Sequence, residues 1–373
     1  LIAGGGRCNV THHRVTEDDY AGGSRNAIKK VLRQFDVDAT IDFFAELGVT
    51  LKQEKTGKLF PTSDRAQTVL GALVTEFERF GTIRFGHCVE AVVQQDPGAS
   101  DSGFVVTGTF QEICASRVIL ATGGKSIPKT GSNGHGYVIA EALGHSVTER
   151  IFPALVPLTI PRDHWFRDMK GITLETTLEL WSGSRKRLKR FTNSTLFAHF
   201  GLSGPGVLDM SRYFLDVRSH DPSAALTINW LPSFDSESFS NMLKTERTLS
   251  IKQMLRQHLP DRLVRELLAI VFDPVADKKR TELAVNQLSR GERRELARVV
   301  TRFVMPVVGD RGFDYAEVTA GGVPLTEIHL NTMASRKCSG LSLCGEILNV
   351  DGRIGGFNFQ WAWASGYLAG RSV

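Results

Sequence analysis

Apolar residues recur along this chain at two spacings, one helical and one alternating, and the switches between them divide it. Residues 24–35 place Ala27, Val31 and Phe35 on one helical face. Residues 38–47 do the same with Ile41, Phe44 and Ala45, and Gly48 follows as a C-cap. Leu59-Phe60-Pro61-Thr62 reads as extended. Ser63 or Asp64 then stands to cap a helix over 65–80, with Val69, Leu70, Leu73, Val74 and Phe77 on its apolar face. Residues 88–93, 104–107 and 111–115, with a turn-rich stretch over 96–102, predict a three-stranded meander. Residues 117–124 read as a buried strand that stops at a small-residue turn, and a helix over 134–143 ends at Gly144.

From residue 151 the pattern changes. Pro153, Pro157 and Pro161 interrupt it, and strands such as 174–181 alternate apolar with polar positions. A compact loop over 197–205 precedes a helix around 207–213. Residues 236–245, 250–257, 260–270, 280–285 and 290–304 carry helical spacing; Leu263, Leu267 and Leu268 mark one apolar face, and Leu296, Val299, Val300 and Phe303 another. Residues 318–323 return to strand and turn. Leu341-Ser342-Leu343-Cys344 reads as a buried strand ending at Gly345, and 360–370 as a helix with Trp361, Ala364, Ser365 and Leu368 on one face. The succession predicts an α/β fold with a discontinuous domain, 1–150 and 336–373. Into it is inserted a β-rich, barrel-like domain, 151–232 and 306–335, which itself carries a helical insertion, 233–305.

Composition narrows the class. The 373 residues allow two or three cores, and 42% apolar with 23% charged residues is the balance of an ordinary globular protein. No apolar run approaches the roughly 20 residues of a membrane span, so no membrane partner is expected. The chain opens without a basic-then-apolar leader, and its five cysteines, 8, 88, 114, 338 and 344, form no Cys-x-x-Cys. A reduced, cytoplasmic setting without zinc or other metal is expected. A net charge of +5 suits an anionic cofactor and, less well, nucleic acid. Five of the six residues 185–190 are Lys or Arg, which reads as a solvated hairpin tip or an anion site. Aromatic residues do not interleave with that run, which counts against a single-strand stacking platform.

Two glycine-rich stretches carry candidate chemistry. Gly4-Gly5-Gly6-Arg7-Cys8-Asn9-Val10-Thr11 can present backbone N–H groups and a guanidinium to a phosphate or carbonyl. In residues 345–361, Glu346, Asp351, Gly355 and Gly356 lie between a strand and a helix, and the helix start offers unpaired N–H donors and a positive dipole end.

Together with Ala121-Thr122-Gly123-Gly124, these stretches resemble the BaiN/YhiN-like family of NAD(P)/FAD-dependent oxidoreductases, flavoproteins with a glutathione-reductase-type, Rossmann-like FAD domain. His199-Phe200-Gly201-Leu202-Ser203-Gly204-Pro205, Val318-Thr319-Ala320-Gly321-Gly322-Val323 and Phe60-Pro61 resemble further family segments, so the likeness runs along the whole chain. The resemblance implies FAD lying across the carboxyl ends of a parallel sheet. Gly5, Gly6, Arg7, Cys8 and Asn9 would line its flavin side, and Val89 would pass the adenine. Ala121, Thr122 and Gly123 would sit by the adenosine diphosphate half, and Glu346, after Gly345, or Asp351 would accept from a ribitol or ribose hydroxyl. Gly355, Gly356, Phe357 and Asn358 would bring the last helix to the ring, so that Gly356→Val should cost flavin without unfolding the chain. NAD(P)H would donate hydride, and the substrate would be a small conjugated, enone-like molecule. His199 and Ser203 are candidates for its pocket, although a structural histidine accounts for His199 better.

Two departures from the family pattern stand out. Ala334 replaces the acid of the family's Thr-Met-Glu-Ser-Lys segment. The family also opens with a strand and a Gly-x-Gly-x-x-Gly turn that binds pyrophosphate, and neither occurs here. The chain as written is therefore expected to hold FAD weakly and to aggregate, and its parent reading frame to encode that unit upstream of Leu1. Two alternatives remain: a nucleic-acid-associated flavoprotein using residues 185–190 and the helical insert, and a truncated remnant with no activity.

Overall fold

The computed structural model describes residues 3–95, 103–246, 248–272 and 284–372. It resolves into two compact units, Leu1–Ala154 with Ala316–Val373, and Leu155–Tyr315.

In the first unit Leu341–Leu343 pairs in parallel with Val118–Leu120, Leu341 opposite Val118 and Leu343 opposite Leu120. Ala334–Ser335 and Ile328–His329 extend the same sheet by antiparallel pairing. The meander forms from Val89–Gln94, Phe104–Gly108 and Ile113–Ala115; the turn expected over 96–102 lies outside the described residues. Leu341–Leu343 is buried throughout, Ser342 included, while Val118–Leu120 buries Leu120 and leaves Ile119 exposed. Leu120, Leu341 and Leu343 join Ile28, Val31, Phe104, Ile139 and Trp361 in one core. Each fully buried side chain of this size contributes about 1.5–3 kcal/mol.

The last helix, Phe357–Gly370, runs through this unit and starts three residues before the expected position. Trp361, Ala364, Ser365 and Leu368 are all buried. Trp361 Nε1 donates to the Gly345 carbonyl (3.1 Å), and Trp363 Nε1 to the Val10 carbonyl (2.9 Å). Gln360 is the polar hub: its Oε1 accepts from the hydroxyls of Thr11 (2.6 Å) and Thr40 (3.0 Å), and its Nε2 donates to the carbonyls of Phe35 and Asp36.

Three expectations are corrected here. Residues 316–335, assigned by pattern to the insertion, belong to the first unit, because Val318–Ala320 pairs with Phe152–Ala154 and the two strands after it extend the central sheet. The helix Ala66–Glu78 receives no side-chain cap. Ser63 instead bonds Thr68, and Asp64 pairs with Lys52 and Arg7. Of the helix expected over 280–285, residues 280–283 lie outside the described residues, and Val285–Gln287 is a single 3-10 turn.

The second unit holds a seven-stranded antiparallel sheet in the order Phe303–Val304, Ala225–Asn229, Thr173–Trp181, Arg187–Ala198, Gly201–Ser203, Leu158–Thr159, Gly309–Asp310. Its first and last strands do not pair with each other among the described residues, so the expected barrel is an open sheet. The helices Ser236–Thr245, Ile251–Arg256, Asp261–Val271 and Arg290–Thr301 leave after Asn229 and return at Phe303. They share one core with the sheet rather than building their own: Phe239, Leu267 and Leu296 pack in the same cluster as Leu178, Phe197 and Trp230. Trp230 stacks on Phe197 and donates through Nε1 to the Val299 carbonyl (3.2 Å). The last of these helices stops at Thr301, short of the expected 304, because Phe303–Val304 pairs with Thr227 and Ile228.

Candidate functional site

Two turns leave the carboxyl ends of the paired parallel strands. Val118–Leu120 runs into Ala121-Thr122-Gly123-Gly124, and Leu341–Leu343 into Gly345–Ile347. They meet at Thr319. Its Oγ1 accepts from the backbone N–H groups of Lys125 (2.7 Å) and Ser126 (3.1 Å), and its own N–H donates to Glu346 Oε1 (3.0 Å). Gly124 makes the junction possible: a Cβ there would lie 2.4 Å from Thr319 Oγ1 and 2.6 Å from Glu346 Oε1.

The electrostatics of this junction disfavour a lone negative charge. Burial raises the Glu346 carboxyl above its ordinary value, and the field of Asp351 raises it further, against the opposing bonds from Thr319. Asp351 is buried in the strand Val350–Gly352, which pairs with Tyr20–Gly22. Tyr137, on the helix His135–Ala142, is buried, and its hydroxyl has no hydrogen-bond partner. Burial first, then the Glu346 charge, push its pKa well up. His135 Nε2 of the same helix donates to the Glu90 carbonyl (2.8 Å), beside half-buried Val89.

The amino-terminal stretch is arranged differently from expectation. Ala3–Gly6 forms a 3-10 turn. The Arg7 guanidinium lies over the Phe60 ring (4.1 Å) and bonds Glu54 (2.6 Å), so it is engaged within the chain. Cys8 is buried, and burial pushes its thiol pKa up, which disfavours a reactive thiolate. Asn9 is buried with its Oδ1 unpartnered.

The side chains of the final motif are likewise used locally. Asn358 Oδ1 accepts from Gly352 N–H (2.8 Å), and its Nδ2 donates to the Gly352 carbonyl (3.0 Å). Phe357 is buried against His12 and Tyr20. Gly355 and Gly356 both have positive φ. A Cβ on Gly356, at φ +95°, would stand 2.6 Å from the Thr11 carbonyl carbon. The close approach required at Gly356 is to the chain itself, so Gly356→Val would strain the fold as well as any ligand.

His199 and Ser203 lie in the second unit. His199 is exposed in the turn after Arg187–Ala198, its ring against Phe200, and Ser203 is half-buried at the end of Gly201–Ser203. The first unit thus brings the turn Ala121–Gly124 to Glu346 through Gly124. It ties Gly5–Asn9 to Gly355 and Gly356 through Val10, Thr11 and the last helix. Sequence reading missed Gly124 as a contact, Thr319, Tyr137 and Gln360. Thr319 belongs to the family-like segment Val318–Val323, which the sequence pattern assigns to the insertion. For Tyr137 the available signal was a hydroxyl on an otherwise apolar helix face flanked by Gly134 and Gly136.

Among the described residues there is no cluster of His, Cys, Asp or Glu able to hold a metal ion, and no helix long and apolar enough to cross a membrane. Glycine turns at the ends of adjacent parallel strands, closing on a half-buried carboxylate, are the arrangement of a Rossmann-type domain. The HI0933-like protein Rossmann domain matches residues 1–372, and the chain belongs to that family. The 3-dehydro-bile acid delta(4,6)-reductase of Clostridium scindens is 33% identical over 378 residues, spanning 100% of this chain and 89% of its own length. Ribosomal RNA dihydrouridine synthases of Escherichia coli and Haemophilus influenzae are each 32% identical, spanning 100% of this chain and 88% of their own lengths. The family likeness carried by the glycine motifs therefore holds over the whole chain.

Proposed function

We propose that this oxidoreductase binds FAD in the unit Leu1–Ala154 with Ala316–Val373, takes electrons from NAD(P)H, and reduces a carbon–carbon double bond conjugated to a carbonyl. The observation that carries the reading is the pair of turns, Ala121–Gly124 and Gly345–Ile347, at the carboxyl ends of two in-register parallel strands, the position at which open α/β sheets bind nucleotides. The residues fit a nucleotide. Gly124 lets the turn close directly on Thr319 and Glu346, and Tyr137 Oη and Asn9 Oδ1 are buried polar atoms without partners.

When bound, FAD supplies the hydride chemistry. The chain supports it by position. Glu346 accepts from a sugar hydroxyl, held in place by Thr319 N–H. Thr122 and Gly123 line the nucleotide beside it. The N-terminus of Phe357–Gly370, past Gly355 and Gly356, turns its positive end to developing negative charge. His199 and Ser203, in the second unit, carry no cofactor role in this reading.

The names of the relatives support the substrate chemistry, since a 4,6-dienone and the uracil ring each present an alkene conjugated to a carbonyl. A second reading, uridine in RNA as substrate, is favoured by one observation. Residues 185–188 are exposed at and just beyond the tip of the hairpin formed by Thr173–Trp181 and Arg187–Ala198. Arg187 and Arg190 there pair with Glu179. Steady-state oxidation of NADH and NADPH by the full-length flavoprotein, with steroid enones in one series and uridine-containing RNA in another, tests both readings. Turnover with enones supports the first. Turnover with RNA alone, weakening steeply with salt, supports the second. No NAD(P)H oxidation with either rejects the donor and both substrates.

A further inference from the structure

We propose that the second unit carries an oxyanion site at Arg311, whose guanidinium, lying against Phe200 and Tyr315, binds the carboxylate of an acidic enone. The proposal deepens the enone reading above and rests on it for the rest of the ligand.

Two neighbouring turns build the site. Phe200 lies in the turn between Arg187–Ala198 and Gly201–Ser203, and its carbonyl accepts from Ile160 N–H (3.4 Å). Arg311 follows Gly309–Asp310, and its N–H donates to the Pro157 carbonyl (3.1 Å). Both turns are thus held to one strand, Leu158–Thr159, which pairs with Gly201–Ser203 on one side and with Gly309–Asp310 on the other. Beyond Arg311 the chain folds back. Asp310 Oδ1 accepts from Gly312 N–H (2.6 Å), and Tyr315 N–H donates to the Gly312 carbonyl (3.1 Å). The guanidinium carbon comes to lie 3.3 Å from the centroid of the Tyr315 ring and 4.2 Å from that of Phe200.

Contact with two rings holds the guanidinium in place and takes water from it. Among the described residues no carboxylate pairs with it, and its N–H groups meet no acceptor. Arg7 is the satisfied counterpart: it lies over Phe60 but also bonds Glu54. A guanidinium held in advance loses little freedom on binding, and its fork of donors matches a planar oxyanion. The surroundings select a single charge on an apolar body. Asp310 and Asp314 flank Arg311 in sequence without pairing to it, and they repel a doubly charged phosphate more than a singly charged carboxylate. Val308, just before this segment, and Tyr315 are 67% and 50% exposed, so apolar surface lies beside the cation. His199, exposed with its ring against Phe200, adds an N–H donor next to the same ring.

The test uses the full-length protein and two ligands of one skeleton, a 3-oxo-4-ene steroid with a side-chain carboxylate and its methyl ester. The readout is the ratio of the KM for the ester to the KM for the acid. It should be about tenfold or more in the parent, the value of a hydrogen bond to a charged group. It should fall to near one in Arg311→Leu, which keeps bulk against the rings, and recover in part in Arg311→Lys, which restores the charge without the fork. A parent that does not prefer the acid would overturn the site whatever the variants do. So would a preference that survives Arg311→Leu, or equal losses for acid and ester with a lower melting temperature, which would show that Arg311 serves the fold. An Arg311→Leu variant that binds uridine-containing RNA less tightly, with the acid preference unchanged, would assign the guanidinium to phosphate and overturn the carboxylate. Should the parent turn over neither steroid, the enone reading fails, and the same ratio taken from Kd values by calorimetry still decides the site.

Discussion

Glu346 shows how one residue joins fold to site. Its folded pKa is raised by burial and by Asp351, so the folded chain holds its proton more tightly than the unfolded chain does. The stability this provides is complete below the ordinary carboxylate range and is lost as pH rises through the folded value. In cofactor-free protein, Glu346→Gln should therefore raise the melting temperature at neutral pH. The gain should shrink to nothing in acid, and thermal melts across pH would read it. The same substitution should weaken FAD binding. The acid was legible in the sequence because it followed Gly345 at a strand end. Its setting was not, since Thr319 reaches it from 27 positions away in sequence, and a sequence pattern records spacing only within an element. The double glycine at 355–356 was legible as a close approach. That the approach is to Thr11 is a tertiary fact.

Among elements, the final helix carries most of the load. Its apolar face at Trp361, Ala364 and Leu368 followed from helical spacing, while Gln360 reads in sequence as an ordinary polar position at a helix start. In the fold Gln360 is 1% exposed and satisfies Thr11, Thr40 and two carbonyls at once. Gln360→Leu keeps the volume but strands the buried Thr11 hydroxyl and takes the Nε2 donor from the Phe35 and Asp36 carbonyls, while Thr40 keeps its bond to the Asp36 carbonyl (2.8 Å). The expected cost is about 2–5 kcal/mol, read as a lower urea midpoint with unchanged slope. A loss below about 0.5 kcal/mol would mean that the network relaxes around the leucine.

Across the whole molecule, the alternation of helical and strand periods gave the class and the order of elements, and it misplaced two boundaries for one reason. Periodicity names an element but not its partner. Val318–Ala320 reads as a strand wherever it pairs, and its partner, Phe152–Ala154, contains a proline that argues against it. The helices after Asn229 look self-sufficient because each has its own apolar face, yet those faces meet the sheet in a common core. Leu267→Ala in a helix and Leu178→Ala in the sheet should each cost about 2–5 kcal/mol. Both should lower the same single unfolding transition of that unit. Two separated transitions would indicate an independent helical domain.

The central claim is that the glycine turns around Glu346 form a flavin nucleotide site, and equilibrium binding of FAD to the full-length protein tests it most directly. Titration followed by quenching of flavin fluorescence should reach one FAD per chain. Gly124→Ala, whose methyl group would crowd Thr319 and Glu346, should abolish or strongly weaken that binding. Saturation at one equivalent in the parent, lost in the variant, is the result this account predicts. A parent that binds no flavin, or a variant that binds it as tightly as the parent, would contradict it.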